Sequence, residues 1–108
     1  MTFEELVAGI KKIPCKEVRA QAEHYFEVVV DQEHFEALNT VLHTYFGPAL
    51  KPKGTAPTGD SNRYSDKYGG IRRDQILYVH PKDKGADVAL LWPWGSSSSR
   101  VTLKLVRG

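Results

Sequence analysis

The sequence predicts an α+β domain in which helices pack on a mostly antiparallel β-sheet. Two segments in the first half carry apolar residues at every third or fourth position, which is typical of amphipathic helices. From residue 71 onwards, three apolar or alternating segments are separated by turn residues, as in a meander of strands. The length of 108 residues, with 41% apolar and 26% charged side chains, fits one domain covering residues 1–108.

The N-terminal segment is predicted to be a helix followed by a shorter, bent continuation. Thr2 and Glu5 have the spacing of a capping box, in which each side chain satisfies a free backbone N–H at a helix start. The apolar positions of one helical face follow: Phe3, Leu6, Val7, Ile10 and Ile13. Pro14 discourages continuation of that helix but suits the first position of a second one, which we predict at roughly Cys15 to Ala22.

A strand and a long amphipathic helix come next. The stretch "HYFEVVVD" at residues 24–31 is rich in aromatic and β-branched residues, and it predicts an interior strand. Asp31 can cap the helix that follows. The apolar stripe of that helix comprises Phe35, Leu38, Val41, Leu42, Tyr45 and Phe46. Gly47 and Pro48 are predicted to end it.

Residues 47–70 show no periodicity and are predicted to form one long loop, either a functional loop or a flexible segment. Three strands are predicted after it, in "DQILYVH", "ADVALLW" and "RVTLKLV". The turns between them are "PKDKG" and "PWGSSSS", the latter including Ser96–Ser99. The predicted order is therefore ααβα, long loop, βββ, arranged as two layers with the helices on the sheet.

Charge is distributed unevenly along the chain. Residues 1–46 carry four Lys or Arg against eight Asp or Glu, whereas residues 47–84 carry eight against four. Residues 85–108 add three against one, so the total is only +2. Such a layout attracts anions to part of the surface if the basic side chains also cluster in space.

Several classes of function lack their sequence signals. A single cysteine, Cys15, rules out an intrachain disulfide, and no basic leader or apolar segment of membrane-spanning length occurs. We therefore expect a soluble, cytoplasmic protein without membrane contact. Neither a phosphate-binding loop nor a dinucleotide fingerprint is present, and the four histidines are not spaced as metal ligands. We expect no cofactor and no metal.

The strongest candidate for a site is the basic, tyrosine-containing stretch at residues 60–73. Arginine forks bind phosphate or carboxylate at two points, and tyrosine faces cover bases or aliphatic groups. The candidate binding residues are Arg63, Tyr64, Lys67, Tyr68, Arg72 and Arg73, with Trp94 as a further recognition residue. If a strand begins at Ile71, Arg72 and Arg73 point to opposite faces. The hypothesis is a non-enzymatic binding module whose partner is an anionic protein surface. Nucleic acid is the less favoured partner, because the first 46 residues are acidic.

Two alternatives from other classes stay open. In the first, the chain is a small metal-independent nuclease or phosphoesterase. His80 would act as acid or base, and Arg72, Arg73 and Lys82 would neutralise a phosphate. In the second, it is a structural or regulatory subunit that docks through the hairpin at Trp94 or through a sheet edge. For Trp92 we predict burial and for Trp94 at least partial exposure. The oligomeric state is left open.

Overall fold

A five-stranded antiparallel sheet organises the chain, and helical segments lie on both of its faces. The computed structural model describes residues 1–94 and 99–108. The helices are α1 (Phe3–Lys11), α2 (Phe35–Phe46) and α3 (Gly59–Ser65), with short 3-10 helices at Gln32–His34 and Asp66–Tyr68. The strands are β1 (Cys15–Gln21), β2 (Tyr25–Asp31), β3 (Ile76–Pro81), β4 (Ala86–Pro93) and β5 (Arg100–Val106).

The strands are ordered β1-β2-β5-β4-β3 across the sheet. The hairpin β1–β2 and the meander β3–β4–β5 join where β2 pairs with β5, with Val28 opposite Leu103 and Val30 opposite Val101. The predicted strand at residues 24–31 is thus an interior strand, as expected. The predicted α+β class and antiparallel sheet are confirmed. The predicted turn at "PWGSSSS" lies largely outside the described residues, because Gly95–Ser98 are not among them.

Both predicted amphipathic helices form. The predicted cap at Asp31 is wrong: its side chain makes no cap hydrogen bond among the described residues, and a 3-10 helix at Gln32–His34 precedes α2. At the start of α1, the Glu5 N–H donates to Thr2 Oγ1 at 3.1 Å and the Thr2 N–H donates to Glu5 Oε1 at 2.9 Å, which completes the capping box. The helix α2 ends at Gly47, whose φ of 77° favours glycine. Buried side chains from α1, α2 and the sheet form the main core: Phe3, Leu6, Ile10, Leu38, Leu42, Phe26, Val28, Val30, Ala89, Leu91, Val101, Leu103 and Leu105.

The prediction of a second helix from Cys15 to Ala22 is wrong, because this segment forms the edge strand β1. Lysine, glutamate, arginine and alanine favour a helix locally, but a helix this short is marginal in water and would have almost no apolar face to bury. Pairing with β2 supplies a ladder of hydrogen bonds instead, with two register shifts along it. Val18 on this edge is 54% exposed.

The predicted loop at residues 47–70 contains the helix α3. Its capping box uses serine in place of the usual glutamate: Thr58 Oγ1 accepts from the Ser61 N–H at 3.1 Å, and Ser61 Oγ accepts from the Thr58 N–H at 2.7 Å. Ser61 and Ser65 are fully buried, and Ser65 Oγ donates to the Ser61 carbonyl. Because these side chains are small and polar, the helix has no apolar stripe that periodicity could detect.

The face of the sheet opposite α1 and α2 carries a second, smaller core. Its buried members are Ile71, Leu77, Val88, Leu90 and Val106, and Tyr64, Tyr68 and Trp92 pack against them. Alternation along β4 explains the two faces, since Ala89 and Leu91 belong to the main core and Val88 and Leu90 to the second. The two predicted layers are therefore extended by a partial third layer formed by α3.

The described residues fold as one unit. Their Cα radius of gyration is 12.8 Å, close to the ~13 Å expected of one compact domain of this length. Along the described part of the chain, no helix has the length and apolar character that crossing a membrane requires.

Candidate functional site

Four of the predicted binding residues line one cavity, which we call the α3 pocket. It has a volume of about 410 Å³ and lies between the segment Gly59–Tyr68 and the turn from β3 to β4. Its lining residues are Arg63, Tyr64, Lys67, Tyr68, Gly85, Ala86 and Val88. The structure thus brings Arg63, Tyr64, Lys67 and Tyr68 together around one cavity.

The helical segment presents these four side chains in two pairs, one turn apart. Tyr64 and Tyr68 are half-buried because their rings pack on the second core. Arg63 and Lys67 are exposed at the rim of the α3 pocket. The tyrosines therefore fix the segment to the sheet and leave the two cations accessible to a partner.

The rim of the α3 pocket is positively charged. Arg63 Nη2 lies 3.8 Å from Asp60 Oδ1, but both side chains are well exposed, so solvent screens this ion pair. Arg63 Nη2 also donates to the Tyr64 hydroxyl at 3.1 Å. Lys67 has no ion pair within the described part of the chain, and no acidic side chain of that part lines the pocket. An anion entering the α3 pocket would meet one unpaired and one weakly paired cation.

Contacts between Tyr68, Gly69 and two residues of the sheet hold the end of this segment in place. Lys104 Nζ donates to the Tyr68 carbonyl at 3.2 Å and lies 3.8 Å from the centre of the Trp92 ring. Gly69 has a φ of 102° and packs against the same indole. Trp92, which we predicted to be buried, is only half-buried, and its Nε1 is buried without a hydrogen-bond partner among the residues that the structure describes.

Replacing Gly69 with alanine is expected to lower the free energy of unfolding by about 2 kcal/mol, since the change combines positive-φ strain with overpacking. A Cβ at this position would lie 2.6 Å from Trp92 Cη2. Gly70→Ala is the matched control, because its φ is also positive, at 81°, but no atom of the described residues lies within 4 Å of its Cβ position. Urea unfolding, monitored by circular dichroism, measures the free energy of unfolding of both variants. Equal losses in both variants would show that the contact with Trp92 contributes nothing.

The predicted residues Arg72 and Arg73 lie away from the α3 pocket. The strand β3 begins at Ile76, so both arginines belong to the turn before it and do not alternate across a strand. Arg73 Nη1 donates to the Gly54 carbonyl at 3.1 Å. Arg72 N–H donates to the Gln75 side chain, which closes the turn.

The groups required by the nuclease hypothesis are not assembled. His80 is exposed near the other end of β3, roughly 13 Å along the strand from Ile76 at about 3.3 Å per residue. Lys82 Nζ is already paired with Asp87 Oδ1 at 2.7 Å. Arg72 and Arg73 therefore cannot share a phosphate with His80 in this arrangement.

Trp94 is partly exposed, as predicted, and lies apart from the α3 pocket. Its Nε1 donates to Thr102 Oγ1 at 2.7 Å. The guanidinium carbons of Arg19 and Arg100 lie 5.4 and 5.7 Å from its ring. The indole is thus hydrogen-bonded to the sheet and flanked by cations. Little of its apolar surface is left for docking of a partner.

The surroundings of Cys15 disfavour a reactive thiol. Cys15 Sγ donates to the Ile13 carbonyl, and burial raises the pKa of the thiol, which disfavours the reactive thiolate. Among residues 1–94 and 99–108, no three His, Cys, Asp or Glu side chains come close enough to hold a metal ion.

Sequence reasoning missed one wall of the α3 pocket. Gly85, Ala86 and Val88 are far from α3 in the sequence and carry no binding signal of their own. The packing of Tyr64 and Tyr68 on β4 helps to bring the two walls together. The turn composition of "PKDKG" predicted the hairpin but not what it would face.

Comparison of the chain with family models, with curated proteins and with solved structures found no match.

Proposed function

We propose that this protein is a non-enzymatic binding module that holds an acidic segment of a partner protein in the α3 pocket. The single observation that carries the proposal is the convergence of Arg63, Tyr64, Lys67 and Tyr68 on one cavity of about 410 Å³. The volume lies in the range of ordinary ligand sites, and the lining joins apolar area to a few polar groups.

The chemistry of the lining supports an anionic group attached to an apolar one. Lys67 and Arg63 can each donate charge-assisted hydrogen bonds to a carboxylate at the rim. Tyr64, Tyr68 and Val88 offer apolar area deeper in the pocket. An acidic peptide segment with an apolar side chain next to its carboxylates matches both the cationic rim and the apolar interior of the α3 pocket.

A protein partner fits the overall charge better than nucleic acid. The chain carries only +2, and its first 46 residues hold eight acids. A duplex or single strand presents a continuous row of phosphates, and proteins that bind it usually offer a broad basic surface. Two cations at the rim of one pocket are better suited to a single anionic group than to a continuous row of phosphates.

An acidic peptide titrated into the 15N-labelled protein is expected to shift the backbone amides of Tyr64, Lys67 and Gly85. Lys67→Glu should weaken binding about tenfold, which is the effect of losing roughly 1.4 kcal/mol. The matched control is Lys12→Glu, since Lys12 is exposed at the end of α1, outside the α3 pocket. The measurement is a nitrogen–proton correlation spectrum at low salt, repeated at higher salt.

Three results would contradict the proposal. The peptide could leave these amides unshifted, or Lys12→Glu could weaken binding as much as Lys67→Glu, which would indicate a general charge effect. A single-stranded RNA could bind instead, with an affinity that falls steeply as salt rises, and the partner class would then be nucleic acid.

A further inference from the structure

A second cavity of about 410 Å³ lies on the other face of the sheet, between α2 and the chain that follows it. We call it the α2 cavity. Residues of α2, of the segment 48–53 and of β3 contribute to its lining. The side chains on which its chemistry rests are Phe35, Asn39, His43, Lys53, Ile76 and Tyr78. The α3 pocket shares none of its lining with this cavity.

The deeper part of the α2 cavity is apolar and rigid. Ile76 and Tyr78 are buried members of the main core, and Phe35 packs against that core while remaining half-buried. Pro48 and Pro52 add side chains of fixed backbone geometry to the wall. Such a site suits a flat apolar group, because the surface that receives it is already formed in the unbound chain.

The hydrogen bond between Tyr78 and Asn39 fixes the polar chemistry of the α2 cavity. The Tyr78 hydroxyl donates to Asn39 Oδ1 at 2.5 Å. This bond occupies the amide oxygen and sets the orientation of the side chain, so the Asn39 Nδ2 hydrogens are the groups left to donate. Within the part of the chain that the structure describes, they have no hydrogen-bond partner.

The remaining polar groups of the lining are also donors. Lys53 is exposed and, among the described residues, its ammonium has no ion pair or hydrogen bond. His43 is exposed at the same cavity and can donate from one ring nitrogen. No Asp or Glu of the described chain lines the cavity. A ligand here meets donors and a positive charge above an apolar base.

We propose that the α2 cavity binds a small organic monoanion, namely a carboxylate attached to a flat apolar body. The carboxylate accepts from Lys53 Nζ and Asn39 Nδ2, and the apolar body lies against Phe35 and Ile76. This inference is independent of the function proposed for the α3 pocket, which lies on the opposite face of the sheet.

Phenylacetate tests the proposal, with phenylacetamide as its uncharged counterpart of the same shape. In nitrogen–proton correlation spectra, phenylacetate is expected to shift the amides of Asn39, His43 and Lys53. Phenylacetamide should bind about tenfold more weakly, because it brings no charge to Lys53.

Two variants separate recognition from folding. Asn39→Asp keeps an oxygen for the Tyr78 hydroxyl and places a carboxylate in the cavity, so it should weaken phenylacetate at least about tenfold by like-charge repulsion. It should leave phenylacetamide within about twofold of its original affinity, because the amide of this probe can donate to the new carboxylate. Lys53→Gln should weaken phenylacetate about fivefold, whereas Lys12→Gln should not change it.

The proposal is overturned if phenylacetamide binds as tightly as phenylacetate, or if Asn39→Asp weakens both probes equally. It is also overturned if phenylacetate shifts only the α3 pocket. The absence of any shift at about 10 mM probe would overturn it too, since a preformed site should be occupied at that concentration.

Discussion

Replacing Lys51 with alanine is expected to lower the free energy of unfolding by about 4 kcal/mol. The side chain is only 2% exposed, and its Nζ donates to the carbonyls of Pro52, Arg73 and Gln75 at 3.0, 2.9 and 2.6 Å. Its backbone also exchanges two hydrogen bonds with Leu77 on β3. Burial lowers the pKa of this ammonium, and the nearby charge of Asp74 opposes part of that effect.

A second variant separates the charge of Lys51 from its packing. Lys51→Met keeps an apolar stem but leaves the three carbonyls without their donor, so we expect about half of the loss seen with alanine. Lys53→Ala is the matched control, because Lys53 is exposed two residues away and should change stability by less than ~0.5 kcal/mol. Chemical unfolding measures the free energy of unfolding of all three variants. A loss below ~1 kcal/mol for Lys51→Ala would show that water replaces these hydrogen bonds at no cost.

Replacing Asp87 with alanine is expected to lower the free energy of unfolding by about 3 kcal/mol, the lower end of the range for breaking a buried pair. The carboxylate is fully buried on β4. It accepts from Lys82 Nζ at 2.7 Å, from the Tyr45 hydroxyl at 2.5 Å and from the Gly108 N–H at 2.9 Å. Its loss leaves the Tyr45 hydroxyl and the Gly108 N–H without this acceptor.

The same carboxylate gives stability a defined acid dependence. Burial by itself would raise the pKa of Asp87, but hydrogen bonds from Lys82, Tyr45 and the Gly108 backbone outweigh it and lower the pKa. A folded-state pKa below the unfolded one means that the contribution is complete above about pH 4 and is lost as pH falls through the folded pKa. Stability of the wild type should therefore fall on acidification more than that of Asp87→Asn.

Thermal unfolding between pH 2 and pH 7 can test this dependence. Asp83→Asn is the control, since Asp83 is exposed in the turn between β3 and β4. If Asp87→Asn retained the full acid dependence of the wild type, other carboxylates would have to account for it.

The sequence predicted those helices and strands whose capping or periodicity pattern lies entirely within the element itself. The capping box at Thr2, the stripe from Phe35 to Phe46 and the alternation in residues 100–106 each lie within one short segment. Helix caps and side-chain periodicity act between neighbours in the sequence, so these signals can be read without the partner element. The candidate binding residues between Arg63 and Tyr68 were likewise visible because they lie close together in the sequence.

Elements that depend on a distant partner could not be predicted in the same way. The stretch at Cys15–Gln21 has helical residue preferences and becomes a strand because β2 offers it a ladder. Lys51 resembled the other loop lysines, and its burial depends on carbonyls of Arg73 and Gln75, more than twenty residues away. Arg72 and Arg73 looked like members of the site, but the turn before β3 directs them elsewhere.

By itself, the sequence determined the α+β class, the two amphipathic helices, the C-terminal meander and the basic, tyrosine-containing composition of the candidate site. The tertiary structure alone decided that β1 is a strand, that β2 joins the meander through β5, and that Arg63 and Lys67 face Gly85 and Val88 across a cavity. The physical reason is the distance along the sequence over which each kind of interaction acts. Periodicity and caps are contacts within a few residues, whereas strand pairing, burial of a charge and the second wall of a pocket require segments that meet only when the chain folds.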